Sequence, residues 1–171
     1  MRRSIVSCVA TLAFVSACGR GAPAAEMPRP EQPRAPEPPA TLRALDDNAF
    51  LLADNANVFA DSSRRVLRDT IEWKAVWKQA VSRQSSPPPR PVVDFSREMV
   101  VLAAAGRMKP GDVIHVDSIG TRGNLTVIVI RTTKACQTFA SDAFPFELAR
   151  VPRTNGNIQF REHVLKAPEC Q

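Results

Sequence analysis

The chain is poor in the residues from which most catalytic centres are built. It contains only two histidines, His115 and His163, in 171 residues. It has no G-x-S-x-G, no H-E-x-x-H, no phosphate-cradling glycine loop and no C-x-x-C. The signatures of α/β-hydrolases, zinc peptidases, P-loop NTPases and dithiol oxidoreductases are therefore missing, and neither a cofactor nor a metal is expected. Also lacking is any Lys/Arg-rich block with interleaved aromatics. The formal net charge of +6 comes from basic residues interspersed along the chain, so the basic balance reflects arginine usage and excludes a nucleic-acid footprint. There is no internal repeat. No apolar run approaches the roughly 20 residues that a bilayer-spanning helix requires.

The longest uncharged stretch lies at the N-terminus. Arg2 and Arg3 are followed by an apolar run from Ile5 to Ala17. A positive n-region, a short h-region and small residues after it read as a secretory signal peptide. The run ends in Val15-Ser16-Ala17-Cys18, which resembles the lipobox of bacterial lipoproteins. That resemblance implies a signal peptide over 1–17, removed in front of Cys18, with Cys18 acylated (a diacylglyceryl and palmitate-type anchor) and seated in the lipid bilayer. The alternative is an ordinary signal peptide cut after Ala17, with Cys18 incidental. Gly19 stands where an aspartate would signal inner-membrane retention, which implies a cell-envelope location, at the outer membrane if the cell has one. Without Arg2 and Arg3 the mature chain would carry a net charge of +4.

Residues 18–41 form the next segment, and Pro23, Pro28, Pro30, Pro33, Pro36, Pro38 and Pro39 all fall within it. Proline at this density removes amide donors and favours extended polyproline II, so the segment reads as a semi-rigid, disordered linker with about 3.1 Å of reach per residue. Residues 42–171 then supply enough chain for one domain with a real core.

Within that domain the apolar pattern changes period. From 70 to 81, Ile71, Trp73, Val76, Trp77, Ala80 and Val81 recur at helical spacing, and Asp69 or Thr70 can cap the first turn. The spacing predicts an amphipathic helix whose Trp73 and Trp77 pack against a sheet. The run Ser85-Ser86-Pro87-Pro88-Pro89 ends it. Strand patterns follow at 99–105, 112–119, 125–130, 146–151 and 158–160. The 125–130 stretch is apolar on both faces and so should be central, and Gly120 to Asn124 should form the hairpin turn before it. Residues 64–67 and one or two stretches within 42–59 add further strands. The expected fold is α+β: a mostly antiparallel curled β-sheet, or a small open barrel, built as a meander with one amphipathic helix packed on it. Phe95 is expected under the helix beside Trp73 and Trp77, and Phe144 and Phe146 are expected to face the core. One of these five aromatics could instead contact a partner. Pro110-Gly111 is expected to turn the chain between the first two meander strands.

Four cysteines reduce to one pair. Cys8 leaves with the signal and Cys18 takes lipid, so Cys136 and Cys170 remain in an oxidising compartment, where a disulfide is the economical reading. Two free thiols are the alternative. His115 and Asp117 lie two residues apart in a predicted strand and would share a face, a pairing that could orient a general base. His163, beside Glu162, has less to recommend it.

Four stretches in order carry a resemblance: Trp73-x-x-x-Trp77; Val93-Asp94-Phe95-Ser96-Arg97-Glu98-Met99-Val100-Val101; Gly106-Arg107-x-x-Pro110-Gly111; and Pro145-Phe146-x-Leu148-x-x-Val151-Pro152. Across about residues 64–161 the chain is similar to the C-terminal domain of the PrcB family. Where that family usually has a glycine pair, this chain has Gly111-Asp112. The resemblance implies a lipoprotein that accompanies a subtilisin-like protease at the cell surface and is not itself the peptidase. The expected function is thus a non-catalytic protein-binding or accessory module, with another exported protein such as a protease as partner. Such a module should show an apolar patch or free sheet edge and no polar pocket. Two alternatives remain: a hydrolase or small-ligand binder centred on His115 and Asp117, and a protease inhibitor presenting a disulfide-held loop within 131–142.

Overall fold

The computed structural model describes residues 40–136 and 140–170. The expected signal peptide, Cys8, Cys18 and nearly all of the proline-rich linker lie outside the described residues. The helix, α1, spans Thr70–Ala80. Asp69 caps it: its backbone is extended and its carboxylate accepts the Glu72 amide at 2.8 Å, satisfying one of the first-turn donors that have no partner inside the helix. Trp73, Val76, Trp77 and Ala80 form the buried face. Ile71, counted with them in the sequence, lies two residues before Trp73 and so on the opposite side of the helix, and it is exposed.

Eight strands make two four-stranded sheets. The first has the order β1 (Thr41–Ala44), β5 (Val113–Arg122), β6 (Leu125–Lys134), β8 (Asn157–Lys166); the second has the order β2 (Phe50–Asn55), β7 (Pro145–Pro152), β4 (Glu98–Ala105), β3 (Ser62–Leu67). The α+β class and the mostly antiparallel pairing are as expected, and β6 is a central strand. The single curled sheet or small barrel is not observed, since neither sheet closes or curls strongly.

Alternation along β4 explains the layering. Val100, Leu102 and Ala104 join Trp73, Val76, Trp77, Phe146 and Leu148 in one apolar cluster, while Met99, Val101 and Ala103 join Ile114, Val116, Ile128 and Ile130 of the first sheet in another. The second sheet is therefore the middle layer, with α1 on one face and the first sheet on the other. A strand buried on both faces reads as a continuous apolar run, which is what 99–105 shows. Trp73 and Trp77 meet edge-to-face with centroids 5.2 Å apart, and the Trp73 indole N–H donates to the Pro91 carbonyl at 3.1 Å. Of the other aromatics, Phe95 packs against the helix-side cluster and Phe146 is fully buried edge-on to Phe59. Phe144 is only half-buried and belongs to neither cluster.

The expected meander is corrected. β4 pairs with β3 and β7, not with β5, so Pro110-Gly111 belongs to a crossing between sheets, not to a turn between neighbouring strands. Gly111 there has φ +89°, a value that only glycine adopts freely. The chain also crosses from β1 to β2, and later from β6 to β7 and back from β7 to β8. Two successive crossings restore the direction of travel, so β8 lies parallel to β6 over ten residue pairs.

The hairpin turn is also narrower than expected. β5 and β6 are joined by Gly123 and Asn124 alone, and Gly123 supplies the positive φ at 56°. Gly120 sits within β5, where a Cβ would run into the Thr41 carbonyl of β1. Its role is to let a short edge strand approach.

Candidate functional site

Two constellations are built around the two acids that the fold buries, Asp112 and Glu147. The first lies at one end of the second sheet, where β4 finishes and β7 begins. The β4–β5 connection and the β6–β7 connection are laced together by a pair of main-chain bonds between Met108 and Ala143, at 2.8 and 2.9 Å. Asp112 anchors the same region from β5's approach. Its side chain is buried, and its oxygens accept the Ala135 amide at 2.9 Å, the Lys134 ammonium at 3.0 Å and, more weakly, the Lys109 amide at 3.3 Å. Burial pushes the Asp112 carboxyl upward, but the Ala135 amide and the Lys134 ammonium outweigh it and hold the group below its ordinary value. Immediately beyond, Cys136 forms the expected disulfide with Cys170 at a Cα–Cα distance of 5.2 Å. The bridge ties the start of the β6–β7 connection to the last turn of the chain, whose Ala167 amide bonds the Lys134 carbonyl at 2.8 Å.

Pro110 and Gly111 thus belong to a braced cluster of connections. Asp112, the residue that follows Gly111, does the bracing. Its importance was not legible from spacing, because its partners are one salt-bridged lysine and two main-chain amides, neither of which leaves a motif.

The second constellation corrects the pairing of His115 with Asp117. A β-bulge falls between Val116 and Ser118, and Asp117 turns to Arg131, with an ion pair of 2.8 Å. His115 instead places Nδ1 3.1 Å from Glu147 Oε1, and its ring lies 4.7 Å from that of Phe50. The other Glu147 oxygen accepts the Val116 amide at 2.6 Å. β1 covers only Ser118 to Thr121 of β5, leaving the amino half of that strand's edge without a neighbour. Glu147, reaching over from β7, supplies the acceptor that a strand would have supplied. A lone acid in the apolar run Phe146-Glu147-Leu148 was the available sequence signal.

His163 stands on β8 in register with Arg131 and is exposed. Among the described residues no group of three or more His, Cys, Asp or Glu side chains is arranged to hold a metal ion, and no helix is long and apolar enough to cross a membrane. The fold is an α+β sandwich of two open sheets with a helix on the outer face of one. Comparison with models of protein families, with curated proteins and with solved structures finds no match.

Proposed function

We propose that this chain is a membrane-anchored exported lipoprotein acting as a non-catalytic protein-binding module, an accessory subunit for another exported protein such as a protease. The observation that carries the reading is the braced end of the sandwich. Irregular connections ordinarily move, and ordering them on binding costs roughly 0.5–1.5 kcal/mol per immobilised side chain. Here the Met108–Ala143 bridge, Asp112 and the Cys136–Cys170 disulfide tie the described ends of the β6–β7 connection to the β4–β5 connection and the C-terminal turn before any partner arrives. Preorganisation of that kind suits a recognition surface. The disulfide also fits an oxidising compartment.

The anchor and linker read from residues 1–41 would confine the module and its partner to one membrane, where modest affinity suffices. The hydrolase reading loses its proposed orienting group, because Asp117 is engaged by Arg131 and His115 by Glu147.

The test is site-specific photocrosslinking in membranes, with the crosslinker placed at Arg107 or Lys109 on the braced end and at Lys74 on the helix. Adducts to an exported protease from the first two positions and none from the third are expected. Recovery of uncrosslinked protein from all three positions would overturn the reading.

A further inference from the structure

At the opposite end of the second sheet, where β4 begins and β7 finishes, lies a cleft of about 640 Å³. That volume is within the roughly 300–1,000 Å³ of small-molecule sites. A surface used only for protein docking does not require it. Three arginines from three separate parts of the chain line its wall: Arg43 from β1, Arg97 from the turn before β4, and Arg150 from β7. Three acids also line it, Asp46, Asp94 and Glu98, so what matters is which charges are already spent.

Asp94 accepts both the hydroxyl and the amide of Ser96, at 2.6 and 3.0 Å. Glu98 accepts the Asp94 amide at 3.3 Å and faces Arg150 Nε at 3.5 Å. Arg150 spends a further donor on the Asn48 carbonyl at 3.1 Å. By contrast, neither Arg43 nor Arg97 has a side-chain hydrogen bond or ion pair among the described residues, and Asp46 makes no side-chain cap bond. The Ser96 hydrogen bonds and, more weakly, the charge of Arg97 hold the Asp94 carboxyl below its ordinary value, so Arg97 is partly offset. Its donors and those of Arg43 nonetheless carry no hydrogen bond among the described residues, beside a third fork that is partly used. The guanidinium fork as a group matches the oxygens of phosphate and carboxylate, and three such forks line this one cleft.

We propose that this cleft binds an oxyanion, the phosphate or carboxylate group of a small molecule, through Arg43, Arg97 and Arg150. Asp46, the one acid of the wall with no such commitment, opposes that charge and limits the affinity. The site is separate from the braced end, so occupancy and partner docking can coexist on one molecule.

The test is calorimetric titration of the full chain in nonionic detergent, at physiological salt, with two probes. Inorganic pyrophosphate represents a soluble source, and short-chain dihexanoyl phosphatidylglycerol represents a lipid headgroup. Saturable binding of either probe with Kd below about 1 mM is expected. Arg43→Gln and Arg97→Gln should each weaken it about tenfold or more, as loss of a charge-assisted fork implies. Asp46→Asn should tighten it by about threefold through removal of a like charge. Lys109→Gln, at the far end, should leave it unchanged. Binding of pyrophosphate alone assigns a soluble ligand, and binding of the lipid alone assigns a headgroup. No saturable heat with either probe would overturn the proposal, as would affinities that Arg43→Gln and Arg97→Gln leave intact while the thermal midpoint shows both variants folded.

Discussion

Glu147 and Val116 belong to different sheets, yet the carboxylate of the first accepts the main-chain amide of the second at 2.6 Å. The bond closes the uncovered edge of β5 with a side chain where a strand is missing. Removing it leaves a buried donor without an acceptor, which costs about 1–3 kcal/mol. Glu147→Ala should therefore lower stability to denaturant by at least that amount. Glu147→Gln, whose amide oxygen can still accept from Val116, should cost clearly less. Equal losses in the two variants would mean that the carboxylate acts through its charge on His115 and not through the amide.

Asp112 sets the acid limit of the braced end. Its folded-state carboxyl titrates below the ordinary value of 3.8, so near that pH the unfolded chain binds more protons than the native one. The contribution is fully present above the unfolded value and is lost as pH falls through the lower folded value. Stability should decline on acidification below about pH 4, and Asp112→Asn should flatten that part of the profile while lowering stability at pH 7. Denaturant unfolding across pH 2 to 7 compares the two profiles; an unchanged acid slope in the variant would refute the assignment.

The Cys136–Cys170 bridge closes a loop with a sequence separation of 34. In the chain-entropy account such a loop is worth about 3–4 kcal/mol. Reduction, or the double substitution Cys136→Ala with Cys170→Ala, should lower the unfolding free energy by that order. It should also raise amide exchange most strongly in the C-terminal turn. A loss below about 1 kcal/mol would show that Asp112 and the Met108–Ala143 pair hold the connections unaided.

Gly120 is required by proximity, because a Cβ there would meet the Thr41 carbonyl. Gly120→Ala should detach β1 selectively, exposing amides of Ser118 to Thr121 to exchange while the β5–β6 pairing persists. Global unfolding of this variant would show that β1 is integral to the fold.

Trp73 is 1% exposed between α1 and the middle sheet. Trp73→Ala should cost about 3–5 kcal/mol, the usual range for emptying an aromatic site in a core. Exposed Ile71, on the opposite side of the same helix, should tolerate alanine with a change below about 0.5 kcal/mol.

What the sequence made legible were features set by neighbours along the chain. The Asp69 cap, the Trp73 and Trp77 face, the doubly apolar runs of β4 and β6 and the cysteine pair all followed from local spacing or simple counting. Sheet membership did not, because the connection at Pro110-Gly111 is short enough for a hairpin and nothing in its composition says that it crosses between layers. The same blindness hid the parallel course of β8, which depends on two successive crossings between layers, one on either side of β7. His115 and Asp117 were paired by a two-residue period that the bulge at Asp117 breaks. The cleft arginines were invisible individually, since each is an ordinary surface residue until the topology brings β1, β4 and β7 to one end.

The shortest strand has a mechanical meaning. β1 is four residues long, is paired to β5 by Ser118 to Thr121, and follows directly on Ala40. Any tension drawn along the chain from the upstream side acts on this pairing before it reaches the rest of the sandwich. Peeling β1 away would carry Arg43 out of the cleft wall while leaving the disulfide-tied end untouched. Were the chain held from upstream by the proposed anchor, the strand would be a slip joint: tension on the chain and a fully assembled cleft would oppose one another.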